Sequence, residues 1–147
     1  MARYPTPEQV AIAWVSSIDE VPDGKVATSL PADPTQWPDG FVTVLSVGGA
    51  SSVYVPLSRP VISIDCWANN PSSSKPPWGK AGSLAGSILA ATYATKELRQ
   101  FTVLPGYHPV QFMSVYPLAE PRRVPGDESG FAHYQFDVTF VYTLVAA

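Results

Sequence analysis

Few residues in this chain could do chemistry. Asp65, Cys66, His108 and His133 are the only plausible metal-ligand set. No two of Asp65, Cys66, His108 and His133 have the short ligand spacing of a zinc site. Cys66 falls inside an apolar alternation, which predicts a buried structural thiol and not a nucleophile. Asp65 and Asp137 lie within strand-like runs at positions opposite in parity to the apolar residues, which predicts solvated positions. A phosphate-binding loop would need G-x-x-x-x-G-K-[ST], but Ser74 stands at its first glycine and Ala81 follows Gly79-Lys80. Gly82-Ser83-Leu84-Ala85-Gly86 puts its serine one place too early for a nucleophile elbow. Pro71 rules out Asn70 as a glycosylation acceptor. No catalytic residue, metal ligand or cofactor is assigned.

The bulk of the chain carries a different message. The 147 residues bear a net charge of −3, and charged side chains make up only 14% against 46% hydrophobic. That charge fraction is well under the usual ~25%. It suits a protein that hides surface against other chains, the bland alternative being a compact monomer with a Ser/Thr/Pro-rich exterior. A sequence pI near 5.2 argues against electrostatic grip on nucleic acid. The single cysteine excludes an intrachain disulfide. No apolar signal core follows Met1, and no run approaches the ~18 residues of a membrane span. Synthesis in a cytoplasm is expected, without a membrane.

The elements that must carry these residues read as one domain spanning 1–147. Thr6, Pro7 and Gln9 form a helix start with a capping box. Val10, Ala13, Trp14 and Ile18 follow on one face, and the helix is expected to end near Asp19. Ile12 and Val15 fall off that stripe and read either as incidental exposure or as a second contact surface, for a neighbouring subunit. Val21–Gly24 reads as a turn, Lys25–Leu30 as a short strand, and Pro31–Gly40 as a proline-rich loop. Phe41–Val47 is a strand, Gly48–Ser52 a turn, Val53–Leu57 a second hairpin arm held to an edge by Pro56, and Val61–Trp67 a strand. The Asn69–Gly79 loop contains Trp78. Beyond it Ala81, Leu84, Ala85, Ile88 and Leu89 show helical spacing, to an end between Thr95 and Gln100. Val110–Tyr116 is a strand. In the final segment Tyr134, Phe136, Val138, Phe140, Tyr142 and Leu144 alternate with other residues, the mark of one long strand with a buried face. The fold class is α+β, an antiparallel or mixed sheet with two helices on one face and long loops.

The densest charge cluster, Arg122-Arg123 beside Asp127-Glu128, sits in the polar loop Pro121–Gly130. It reads either as a solvated loop with weak internal pairing or as a docking loop.

The order of elements resembles the tail terminator (tail completion) proteins of long-tailed, siphovirus-type bacteriophages. The resemblance is carried by the capped first helix with Trp14 and by Val61-Ile62-Ser63-Ile64-Asp65-Cys66-Trp67-Ala68 leading into the small-residue helix Ala81–Thr92. The Pro121-Arg122-Arg123-Val124-Pro125 segment before Phe131–Val138 completes it, and the whole covers about Thr6 to Leu144. The long Asn69–Gly79 loop departs from the family pattern. The resemblance implies a structural virion protein and no enzyme. It implies a hexameric homo-oligomeric ring that caps the tail tube protein, stops its polymerisation and docks the head connector or stopper. DNA would pass through the lumen without specific binding. Interface candidates are Ile12, Val15, Trp78, Arg122, Arg123, Asp127 and Glu128. A head–tail stopper or connector subunit of the same neck is the alternative, and a small ligand-binding or enzymatic domain lies further off.

Overall fold

The computed structural model describes residues 3–51, 57–70, 75–93, 100–101, 105–125 and 131–145. Helix α1 spans Pro7–Ser16. Its start is fixed by the capping box: the Gln9 N–H donates to Thr6 Oγ1 at 3.2 Å and the Thr6 N–H donates to Gln9 Oε1 at 2.9 Å. Two backbone donors that the helix itself cannot satisfy are thereby paired. The helix stops at Ser16, short of Asp19, with Ser17 as C-cap.

Strand β1 (Val26–Ala27) is followed by a 3-10 turn at Pro34–Gln36, then β2 (Phe41–Ser51) and β3 (Leu57–Ala68). Helix α2 runs Trp78–Tyr93, starting two residues before Lys80, and the expected end between Thr95 and Gln100 falls outside the described residues or on their margin. Strands β4 (Gln100–Phe101), β5 (Val110–Pro117), β6 (Arg122–Arg123) and β7 (Ala132–Leu144) complete the chain. The sheet order is β1-β2-β3-β7-β5-β4, with β6 also paired to β7. Among the described strand pairs only β1–β2 is parallel; β2–β3, β3–β7, β5–β7, β4–β5 and β6–β7 are antiparallel. The sheet is mixed and the fold is α+β.

Two strands differ from expectation. Gly48 to Ser51 continue β2, with a bulge between Ser46 and Gly48, in place of a turn. Gly49 lies so close to β3 that a Cβ there would stand 2.3 Å from the Arg59 carbonyl oxygen, and its φ is +114°. The glycine therefore serves a close strand approach, which a glycine run alone does not distinguish from a turn. Strand β3 begins at Leu57, ahead of Val61, and includes Pro60. The β3–β7 register skips from Ser58 to Val61, so the missing proline N–H falls where the ladder is already interrupted. The hairpin arm expected at Val53–Leu57 lies outside the described residues except for Leu57.

The core lies between the sheet and the two helices. Val42 and Val44, then Ile62, Ile64 and Cys66, then Phe136, Val138, Phe140 and Tyr142 supply the sheet side. Val10, Trp14 and Ile18 of the α1 segment and Leu84, Ala85 and Ile88 of α2 close it. Trp14 meets Phe140 edge-on at 5.4 Å. Each buried Val, Ile or Phe contributes about 1.5–3 kcal/mol of transfer free energy.

The first helix buries a wider arc than the stripe assigned from its spacing. Ala11 and Val15 are 0% exposed and belong to the core. A helix seated in the angle between β1, β2 and β3 is covered on more than one side, and Val15 stands only about 40° from Ala11 around the helix. Val15 is therefore removed from the candidate surface. Ile12 is half-buried against the same core.

Candidate interaction surface

Both described helices pack on one side of the sheet. On the other side the alternate residues of β2, β3 and β7 build a chain of polar contacts from strand to strand. The Trp67 indole Nε1–H donates to Thr43 Oγ1 at 3.0 Å. The Trp67 ring lies flat on His133, centroids 3.8 Å apart and planes 13° from parallel. His133 Nε2 is 2.6 Å from Asp65 Oδ1. One row on, Gln135 Nε2 donates to Ser63 Oγ at 2.8 Å and accepts at Oε1 from Arg122 Nη2 at 3.0 Å. The register produces these meetings: Asp65 pairs with Gln135, Trp67 with His133, and Gln135 with Arg122.

This arrangement fixes the facing side chains of β2, β3 and β7 against one another. Cys66 points to the opposite, core side, and its thiol is pushed far above its usual range by burial, with the Asp65 charge adding to the effect. A thiol so held stays protonated and inert. His108 stacks on Tyr4 at 4.4 Å, and its Nδ1 lies 3.1 Å from the Val145 carbonyl oxygen, far from His133 in the fold. Among the described residues no three His, Cys, Asp or Glu side chains gather as metal ligands would. No described helix is long and apolar enough to cross a membrane.

The two arginines of the charge cluster are separated by the pleat. They form β6, a short strand on β7, where the sequence suggests only loop. Arg122 reaches Gln135 on the helix-free side. Arg123 turns the other way and lays its guanidinium 4.4 Å over the Trp78 ring. Trp78, the first residue of α2, in turn meets Tyr134 edge-on at 6.2 Å. Gly82, one turn further on, would place a Cβ 3.4 Å from the Tyr134 ring, so the glycine admits this close packing of helix on strand. Arg122, Arg123 and Trp78 thus share one end of the sheet, with both arginines exposed and Trp78 half-buried. Ile12 belongs to the other helix. Asp127 and Glu128 lie outside the described residues.

Trp37 belongs to no periodic pattern in the sequence, yet it is part of the interior. It is 0% exposed, packed edge-on against Phe131 at 4.9 Å and Phe41 at 6.4 Å. Asn69 holds the same loop by donating from Nδ2 to the carbonyl oxygens of Pro34 and Trp37, at 3.3 and 3.2 Å. Lys80 at the start of α2 donates to the Pro38 carbonyl and stands 4.0 Å from Asp39. A lone tryptophan among prolines carries no periodicity, so only its size hinted at burial.

No family model and no curated protein matches the sequence. Among solved structures, the fold is similar to a chain described as "Virion of native gene transfer agent (GTA) particle", with a TM-score of 0.52 and 11% identity, over 92% of this chain and 89% of that chain.

Proposed function

We propose that this protein is a structural subunit of a phage-type virion, and within it the tail terminator. In this reading six copies form a ring that caps the tail tube, halts its polymerisation and offers the head connector its docking surface. The observation that carries the reading is the fold likeness to a virion chain over nearly the whole of both chains. The low charge content supports it, because subunit contacts deplete charged residues from what would otherwise be surface. The net negative charge suits a lumen through which DNA passes without being held. No cofactor or catalytic step is involved, and the site of action is the virion.

Arg122, Arg123 and Trp78 form the part of this surface assigned to docking on another protein. Guanidinium groups beside an aromatic ring are common anchors of such contacts.

The test is deletion of the gene in its phage, followed by electron microscopy. Tubes longer than normal and unattached to heads are expected, with normal tails restored by the gene in trans. Tails of normal length detached from filled heads would instead indicate a stopper. Normal infectious particles would overturn the structural reading altogether.

A further inference from the structure

The large apolar side chains left exposed are concentrated on the outer long strands. Leu45 and Val47 lie on β2, with Met113, Tyr116 and Leu118 on or just after β5, each between 44% and 56% exposed. Between these flanks the helix-free side of β3 and β7 carries Ser63, Asp65, Gln135 and Asp137. Val47 and Met113 are each the extra residue of a bulge, between Ser46 and Gly48 and between Phe112 and Ser114. Among the described residues, β1 pairs only with Val42 and Thr43, and β4 only with Val110 and Gln111. Among the described residues, the remainder of each outer strand carries no further strand.

The two flanks match in height. Leu45 is opposite Ser63, Ser63 is opposite Asp137, and the Asp137 carbonyl accepts the Leu118 N–H at 2.9 Å. One row along, Gly48, Val61, Thr139 and Tyr116 form a second line across the sheet. Each line therefore ends beside apolar residues at both edges. The flanks also match in direction. β2, β3, β7 and β5 alternate, so β2 and β5 run opposite ways. A rotation that preserves strand direction sets β5 of one copy antiparallel to β2 of the next. Charge agrees with this pairing. Lys25 lies outside β2, its carbonyl accepting the Val42 N–H at 2.9 Å, and Glu120 follows Leu118. Opposite charges thus stand near corresponding heights on the two edges.

We infer that the β5 flank of one copy docks on the β2 flank of a second copy, head to tail, with Leu118 against Leu45, Tyr116 against Val47 and Glu120 near Lys25. Such a heterologous contact closes into a ring when its rotation permits. The bulges break the regular spacing of backbone groups at both edges, so side chains carry the recognition and an open-ended hydrogen-bond ladder is disfavoured. The inference rests on the ring reading above and assigns the edges that build the ring.

Engineered cysteines test it, because Cys66 is buried and does not compete. Leu45→Cys, Leu118→Cys and the double variant are oxidised mildly and run on denaturing gels without reductant. The double variant should give a ladder of covalent oligomers, a mixture of the two single variants should give dimers, and each single variant alone should give none. Homodimers from a single variant, or no ladder from the double, would overturn the assignment. Charge exchange gives an independent measure. Glu120→Lys and Lys25→Glu should each raise the concentration needed for half-assembly about fivefold, with recovery in the pair; no recovery would count against the contact. Rings without a ladder keep the terminator reading and overturn this contact. A ladder from a protein whose deletion leaves normal virions keeps the contact and overturns the terminator reading.

Discussion

His133 of β7 and Asp65 of β3 meet diagonally across two strands, Nε2 to Oδ1 at 2.6 Å, while the same imidazole lies flat on Trp67. Their side chains are only 13% and 18% exposed. The hydrogen bond and the stack therefore hold one ring from two directions. In a double-mutant cycle, Asp65→Ala and His133→Phe should show a coupling of about 1 kcal/mol, since phenylalanine retains the stack and loses the bond. Chemical denaturation of the four proteins measures it, and additive effects would mean that the contact contributes nothing in solution.

Phe136→Asp should unfold the domain. Phe136 is 3% exposed in the core. The variant removes an aromatic ring and buries an unpaired carboxylate, together costing several kcal/mol, on the order of the whole stability of a small domain. Gln135→Ala, on the other face, should cost only about 1 kcal/mol through its bonds to Ser63 and Arg122. Gln135→Asp should cost more than Gln135→Ala, because it would set a second carboxylate directly opposite Asp65. Circular dichroism melts of the three variants decide the ranking.

Stability should fall as the solution becomes alkaline. Burial raises the folded-state pKa of Cys66, with Asp65 adding to it, and burial likewise raises that of Tyr142, partly offset by a hydrogen bond with Ser58. A group with a raised folded pKa holds its proton longer in the native state than in the unfolded chain. Its contribution is present in full below the unfolded pKa and is lost as pH rises towards the folded one. The decline should begin above about pH 8.5 with the thiol and steepen above about pH 10 with the phenol, at up to about 1.4 kcal/mol per pH unit for each group. Urea midpoints against pH measure the slope, and Cys66→Val should flatten its first segment. An unchanged slope in that variant would remove Cys66 as the cause.

Two glycines should respond with opposite signs. Gly49→Ala places a methyl carbon 2.3 Å from a β3 carbonyl at a φ of +114° and should cost about 2 kcal/mol or more. Gly86 is exposed in mid-helix with nothing within 4 Å of the added carbon, so Gly86→Ala should stabilise by about 0.5–1 kcal/mol. Thermal melts of both variants check the pair.

Local rules were read best where one residue's chemistry settled its neighbours. Thr6 and Gln9 announce α1 because their side chains complete the cap themselves. Phe136 and Val138 announce β7 because alternation directly encodes a one-sided core. Val15 was misplaced because its burial depends on how far the helix sinks between strands, which its own spacing does not record. Gly49 reads as part of a turn for a related reason: it is suited to a partner strand's path, and pairing is a property of the fold. The Arg122–Arg123 charge cluster is legible in composition only. That Arg122 and Arg123 part to opposite faces follows from their pairing with Gln135 and Tyr134, residues about a dozen positions away.

The place of β7 between β3 and β5 has a consequence for how the chain reaches its native state. β7 follows both neighbours in sequence, yet it is the strand that joins them, aligning Ile62 with Val138 and Val115 with Phe140. Until β7 emerges from the ribosome, the β2–β3 hairpin and β5 have no common partner and leave apolar edges unguarded. Contacts so distant along the chain are slow to form, because the entropy of loop closure is spent before any pairing rewards it. The late strand therefore sets the pace of folding, and the interval before it docks is when the chain is most open to misassociation.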